Sequence, residues 1–552
     1  MENVWCERVF APSKDMVELM KENDVKLFAL ESKDEVRSFD IIGFSLQYEL
    51  SYTTMLQMLV MSGIPLRSDK RASLSPIIMI GGPCAYNCEP IADFIDLAVM
   101  GEGEEVNLEV IRLYEKAKKE GWNKERFLLA AAHIDSVYVP AFYTCEYNSD
   151  GTISSITPNK NVPETITKRI VTDLNTAYYP ESFVIPFGDI VHDRVAIEVQ
   201  RGCIRGCRFC QAGMLYRPMR IKDVAVLNKQ AKSLCENTGY DELSLLSLST
   251  SDYPQLNELV DRLLEWTESS GINLALPSLR VDNFSMDFMN KVQHLRKSGL
   301  TIAPEAGSAR MRDIINKNVS EEDIIRACTA AFEGGFTSVK LYFMLGLPFE
   351  TDDDVIEIAN LAQRIVDCYY KCADRQKGKS VNVSLSVAAF IPKPFTPFQY
   401  APQNTVEEIA RKQRLLRQSI SSNKIRLSTH DPDVSFLEAV FARGDRRLAP
   451  LIEYAVLNGA YLESWSEYFS LDWWNGIFEQ FGIDASFYAN RERKTDEIMP
   501  WKHIDIGVSD KFLISEYEKA KEAQVSPNCK EKCLGCGASR LKGGVYCANR
   551  KA

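Results

Sequence analysis

Along the first 120 residues, apolar stretches of strand length alternate with segments whose apolar residues recur at three-and-four spacing. This predicts strands at Val25–Leu30, Ile41–Ser45, Ile77–Ile80 and Leu97–Met100, and helices at Ser13–Glu22 and Tyr52–Ser62. Gly43, Gly81, Gly82 and Gly101 fall at strand ends, the pattern of a doubly wound, Rossmann-like α/β domain over residues 1–120. Pro140, Pro158, Pro163, Pro180 and Pro186 break the rhythm over 121–190, which reads as a connector carrying a hairpin. From Arg194 the alternation returns. Strands are predicted at Val195–Val199, Leu243–Leu248, Ile272–Leu276, Leu300–Ala303, Ser338–Phe343 and Asn382–Ala389. Helices fill the gaps at Lys222–Glu236, Gln255–Ser269, Met286–Ser298, Glu321–Glu333 and Asp352–Cys372. Repeats of this kind predict a partial TIM barrel, (β/α)6, over 191–400. A charged helix at Thr405–Ile420 and a region rich in Trp and Tyr predict a mainly helical domain over 401–525.

Composition narrows the class. The chain has 552 residues, 45% hydrophobic and 26% charged, ordinary for a globular protein and unlike a disordered one. No apolar run approaches the roughly 20 residues that cross a bilayer, and the N-terminus has no apolar signal core, so a cytoplasmic protein away from membranes is expected. A net charge of −11 disfavours nucleic acid globally and leaves only a local basic patch for it. Fifteen cysteines are too scattered for a disulfide framework, so their local clusters decide their use.

The segment EVQRGCIRGCRFCQAG sets Cys203, Cys207 and Cys210 at C-x3-C-x2-C spacing directly after a predicted strand, at the end where barrel active sites form. Full ligation of a [4Fe–4S] cluster takes four cysteines, so three thiolates on one loop would leave one iron open. Arg201, Arg205 and Arg208 interleave with the cysteines, and their charge would favour thiolate. A zinc knuckle completed by a distant residue has the same spacing. Further polar segments follow later strands. They supply Ser247, Ser249 and Thr250, then Arg280 as a carboxylate partner, then Glu305 with Gly307 and Ser308 opening a helix whose amides favour an anion, then Gly346 and Pro348. Taken singly, such residues serve as caps and turns equally well.

In this setting the cysteine motif resembles the signature of radical S-adenosylmethionine (SAM) enzymes, C-x3-C-x-φ-C with φ aromatic, a place filled by Phe209. The resemblance spans about residues 190–400. It implies that the open iron chelates SAM and that reductive cleavage yields a 5′-deoxyadenosyl radical. It places Phe209 beside the adenine, Glu305 against bound SAM, and Gly346 and Pro348 at the adenine turn. Ser247, Ser249 and Arg280 complete the expected pocket, and a flavodoxin or ferredoxin is the expected reductant. The segment FIPKPFTPFQ is similar to one in methylthiotransferases and cobalamin-associated members, and reads as a rigid linker or as a substrate element.

The N-terminal segments, with GGPCAYNCEP among them, resemble the cobalamin-binding-like domain ahead of many radical SAM cores. With STHDPDVSFLEAVFARGDRR they point to the B12-binding-type radical SAM proteins of uncharacterised substrate. Two departures argue against cobalamin itself: no D-x-H-x-x-G is present, and Met1 falls near what should be the domain's interior. Cys84 and Cys88 read as inert buried thiols. In the later segment His430, Arg443 and Arg446 are substrate-side candidates, the His as acid or base and the arginines as anion holders. A salt-bridged surface helix explains them equally well.

Cys529, Cys533 and Cys536 repeat the C-x3-C-x2-C spacing and Cys547 adds a fourth thiol, which fits zinc or a second iron–sulfur cluster. Residues 526–552 are too poor in apolar side chains to fold by burial, so a metal separate from the barrel cluster is expected to order this basic tail. The leading expectation is a radical SAM enzyme that transfers a methyl or sulfur group to an unknown substrate, RNA or protein. The alternative is a non-catalytic iron–sulfur or zinc interaction module associated with RNA.

Overall fold

The computed structural model describes residues 4–188, 190–276, 300–373, 375 and 378–547. The chain divides into two compact units. The first holds residues 1–170, 391–394 and 433–506, and the second 171–390, 395–432 and 507–552. The expected boundaries at 120, 190, 400 and 525 do not coincide with this division.

The first unit is built on β1 (Ile41–Ser45), β2 (Ile77–Gly81), β3 (Leu97–Val99) and β4 (Val137–Tyr138), in that spatial order. β1, β2 and β3 are parallel, and β4 closes the edge antiparallel to β3. The helix Ser51–Met61, whose charge-free sequence is mostly apolar, is buried along most of its length. Val25–Leu30 forms no strand, only an isolated bridge between Phe28 and Glu35. The connector carries the expected hairpin, Tyr143–Tyr147 with Ile153–Pro158. The aromatic-rich segment belongs to this unit, with Trp474 fully buried and its ring 5.5 Å from that of Phe441. One buried carboxylate organises the sheet end. Asp96, just before β3, accepts from the Ile78 amide at 2.7 Å and pairs with Arg71 at 3.0 Å and Lys124 at 2.6 Å.

In the second unit seven parallel strands follow in chain order. β5 (Val195–Glu198), β6 (Glu242–Leu246) and β7 (Asn273–Ala275) form one sheet. β8 (Leu300–Glu305), β9 (Ser338–Leu345), β10 (Asn382–Ala389) and β11 (Ile425–Thr429) form another. Helices Val224–Thr238, Leu256–Thr267, Glu321–Glu333, Asp352–Lys371 and Val406–Ser419 lie between successive strands, the right-handed βα pattern of a barrel-type core. β10 shows why the sequence folds this way. Val383, Leu385, Val387 and Ala389 are buried, whereas the other face carries small residues, Ser384, Ser386 and Ala388, that fill little space. The first of these faces joins a core with Ile358, Ala362 and Ile365 of the helix Asp352–Lys371. The predicted helix Met286–Ser298 lies outside the described residues.

β11 was not expected from the sequence, which put residues 425–429 in a helical domain. Its five residues alternate exposed and buried side chains, too short a run to stand out beside a charged helix. The proline-rich segment is shared between the units: Ile391–Pro394 packs with the first and Phe395 onward with the second. Within the first unit Lys393 sits 2.6 Å from both Glu49 and Glu438, a largely buried triad that a linker reading leaves unexplained. Among the described residues no helix is long and apolar enough to cross a membrane.

Replacing Asp96 with Ala would leave Arg71 and Lys124 buried without their counter-charge. A loss of about 3–5 kcal/mol is expected, read as a lower denaturant midpoint for the first unit, and an unchanged midpoint would contradict its organising role.

Candidate functional site

The chain leaves β5, makes a short antiparallel pairing of Gln200–Arg201 with Arg220–Ile221, and between them forms the cysteine loop. Cys203, Cys207 and Cys210 are all half-buried. Main-chain amides already point at two of the sulfurs. The Arg205 amide donates to Cys203 Sγ at 3.4 Å, and the Gly213 amide donates to Cys210 Sγ at 3.3 Å. Cys210 is thereby the N-cap of the short helix Gln211–Leu215. Burial, with the Cys207 sulfur beside it, pushes the Cys210 thiol up to about 12, so metal binding there would release a proton.

The interleaved arginines are each paired with a carboxylate. Arg201 pairs with Glu198 at 2.8 Å, Arg205 with Asp252 at 2.5 Å, and the fully buried Arg208 with Glu516 at 3.1 Å. Arg208 also donates to the carbonyls of Ile314 at 2.8 Å and Gln524 at 2.6 Å. These pairs anchor the loop, and Arg208 also feels the charge of the Cys207 sulfur. Asp252 and Glu516 were missed because each carries its meaning only through a partner distant in sequence.

The strand-end residues divide in the same way. Ser249 is buried and donates to Asp252 at 2.6 Å, while Ser247 shares a hydrogen bond with Thr250 at 2.9 Å. Both hydroxyls thus support the loop that receives Arg205. Phe209 is part-exposed beside the cysteines. Arg280 lies outside the described residues. Glu305 ends β8 with a positive φ of 68° at an irregularity in its pairing with β9, and its carboxylate meets Lys317 at 3.1 Å. A left-handed non-glycine residue costs energy and is worth a functional question. Lys317, which no sequence signal marked, is also among the charges felt by the Cys210 sulfur.

Gly307 is needed for packing: a Cβ there would come within 2.3 Å of the Ile358 amide nitrogen on the neighbouring helix. The helix that follows it, Ala309–Ile314, offers no free anion site. Ser308 caps it, and Asp354 stands 2.5 Å from the Ser308 hydroxyl. Burial alone would raise Asp354, but Arg310, Ser308 and Thr351 hold it at about 2. At the turn after β9 the Gly346 amide donates to Glu350 at 2.8 Å, and Glu350 pairs with Lys412 at 2.9 Å while Pro348 is buried.

His430, Arg443 and Arg446 fall in different units. His430 is exposed at the end of β11 in the second unit. In the first unit Arg443 is buried against the carbonyls of Ala489 at 2.8 Å and Arg491 at 3.0 Å. Arg446 is ion-paired to Glu89 at 2.6 Å and donates to Tyr143 O at 2.7 Å. Both arginines are structural, and their adjacency to His430 in sequence ends where the chain passes between units. Cys84 and Cys88 are buried and pushed well up by burial, as expected of inert thiols. Of the histidines described in the first unit, exposed His133, in the turn after the helix Lys124–Ala131, is bonded through Nδ1 to the Leu129 carbonyl of that helix, and His503 is enclosed by Tyr138, Tyr143 and Glu89.

The cysteine tail is not a separate extension. The Cys529 amide donates to the Ile204 carbonyl of the loop at 3.2 Å, and the Val545 amide to Met219 O at 3.0 Å. Cys529, Cys533, Cys536 and Cys547 line one small cavity together with Ile204 and Arg217. Cys547 is pushed up to about 11 by burial and then by the three other tail sulfurs. Among the described residues no three His, Cys, Asp or Glu side chains are already drawn together as metal ligands.

Two regions of the chain match known families: residues 1–140 the N-terminal region of radical SAM proteins, and residues 197–362 the radical SAM superfamily. The chain is similar to an uncharacterized protein of Methanocaldococcus jannaschii, 28% identical over 83% of this chain and 90% of that one. It is also similar to the threonylcarbamoyladenosine tRNA methylthiotransferase of Treponema pallidum, 24% identical over 32% of this chain and 37% of the other. Among solved structures, the radical SAM methyltransferase TsrM of Kitasatospora setae aligns with TM-score 0.47 and 11% identity, over 81% of this chain and 91% of that one.

Lys412→Met is expected to cost about 3–5 kcal/mol, because Glu350 would keep a buried charge without its cation. The double variant Glu350→Gln/Lys412→Met should recover most of that loss in chemical denaturation. If the single and double variants are equally unstable, the pair does not hold the Gly346 turn.

Proposed function

We propose that this chain is a radical SAM enzyme, that it cleaves SAM reductively at a [4Fe–4S] cluster held by Cys203, Cys207 and Cys210, and that the radical so formed modifies a substrate; the match of residues 197–362 to the radical SAM superfamily supports this reading. The observation that carries the reading is one loop that presents three thiols at a strand's C-terminal end and is pinned by arginine–carboxylate pairs. The thiols and the amides aimed at two of them fit an anionic cluster. When bound, the cluster supplies the electron that breaks the sulfur–C5′ bond of SAM, giving 5′-deoxyadenosyl.

The chain's own residues bind and orient. Arg205 and Arg208 fix the loop that carries the three cysteines against Asp252 and Glu516. Glu305, held by Lys317, presents a carboxylate to the amino group of SAM, and Arg280 is assigned to the SAM carboxylate on the resemblance alone. Phe209 and the Gly346–Pro348 turn line the adenine side. A one-electron donor of the flavodoxin or ferredoxin class reduces the cluster. Likeness to a tRNA methylthiotransferase supports sulfur- or methyl-group transfer, with RNA ahead of protein as substrate. A cluster-bearing RNA module without turnover is the competing reading, favoured by exposed Lys530, Lys532, Arg540 and Lys542 on the tail.

Anaerobic reconstitution with dithionite and SAM should yield 5′-deoxyadenosine by mass spectrometry. Cys203→Ala, Cys207→Ala and Cys210→Ala should each abolish it, along with the broad visible absorbance of the loop cluster. Product from the triple variant would overturn the assignment.

Glu305→Ala should keep the cluster and weaken SAM binding by about 1.5–3 kcal/mol, roughly 10- to 150-fold in Kd. Equilibrium dialysis with labelled SAM measures this, and an unchanged Kd would move the pocket elsewhere.

A further inference from the structure

We propose that Cys529, Cys533, Cys536 and Cys547 hold a second, thiolate-bound metal centre built directly against the catalytic loop, and that metal there fastens the loop. The four cysteines, Ile204 from the middle of the loop, and Arg217 from its exit line a single cavity. A main-chain bond lies near each end of the tail, Cys529 to Ile204 at 3.2 Å and Val545 to Met219 at 3.0 Å. Close approach is built in at the second contact. A Cβ on Gly544 would fall 2.6 Å from Pro218 Cβ, so only glycine lets the tail lie on the loop's exit.

Arg217 joins the two cysteine sets. Its guanidinium is buried and fixed by the loop's own carbonyls, Gly213 O at 3.0 Å and Arg205 O at 3.0 Å. The sulfurs of Cys536 and Cys529 on the tail, and of Cys203 on the loop, are the groups whose charge it feels. A buried cation is costly unless anionic groups face it. Thiolates gathered on a metal are such groups, and they would give Arg217 counter-charge from both sides. Four thiolates close a tetrahedral or cubane site without an open position, so this centre holds structure and leaves SAM to the loop. The sequence alone pointed to a tail metal independent of the barrel. The two main-chain bonds replace that expectation with a coupled one: losing the tail metal should loosen the loop.

The test uses full-length protein purified without oxygen, with iron and zinc per chain measured by elemental analysis and amide exchange followed over Cys203–Met219. It uses no SAM, so failure here and failure of the cleavage reaction are separable. In Cys533→Ser/Cys536→Ser, loss of one zinc per chain assigns zinc, loss of about four iron assigns a cluster, and either supports the site. Exchange over the loop should rise severalfold. Unchanged metal content overturns the site, and unchanged loop exchange after metal loss overturns the fastening. As a second arm, Cys203→Ala/Cys207→Ala/Cys210→Ala removes the loop's ligands, so any metal left belongs to the tail. Chelating and restoring that metal should raise and lower loop exchange reversibly, and a loop indifferent to it would again refute the coupling.

Discussion

The buried guanidinium of Arg208 is the constraint on which the cysteine loop depends. Three sulfurs brought together without metal gain little from one another, so the loop must be shaped by something else. Arg208 supplies it by donating into Glu516 and the carbonyls of Ile314 and Gln524 from one planar fork. A lysine could not reach these directions at once, because its donors radiate from a single nitrogen. Arg205, on Asp252, does the same on the other side of Cys207. The sulfurs are therefore positioned by electrostatics among groups that are not themselves ligands, which is the general condition for a preorganised site.

Much of the core was legible because βα alternation leaves a strong mark. Asn382–Ala389 has period two over eight residues and Asp352–Lys371 has helical period over twenty, and both stand in the structure as expected. What was not legible depends on distance along the chain. Arg201, Arg205 and Arg208 stand beside the thiols in the sequence, but their anchoring to Glu198, Asp252 and Glu516 is visible only once those carboxylates are placed. His430, Arg443 and Arg446 look like one cluster for the same reason. Ser428–Arg447 is continuous in sequence, yet the chain changes unit within it. Lys317 and Arg217 carry no motif at all and were found only by what they touch.

The first unit handles its buried charges in one consistent way. Asp96 between Arg71 and Lys124, Glu89 with Arg446, and Lys393 between Glu49 and Glu438 each pair a buried group with more than one partner or hydrogen bond. Such networks add less to stability than apolar packing would, but an unpaired member is expensive, so they penalise alternative packings. The first unit is thus specified by its polar core as much as by its apolar one.

Arg208 and Glu516 are 308 positions apart, and the tail residues that bind Ile204 and Met219 come later still. During synthesis the ribosome delivers the cysteine loop long before its fastenings. At roughly 5–20 residues per second, that leaves the loop without Glu516 for about 15–60 seconds. Through this interval the nascent chain carries exposed thiols open to oxidation or to stray metal. Cells making this protein are therefore expected to need thiol-protecting conditions for at least that long.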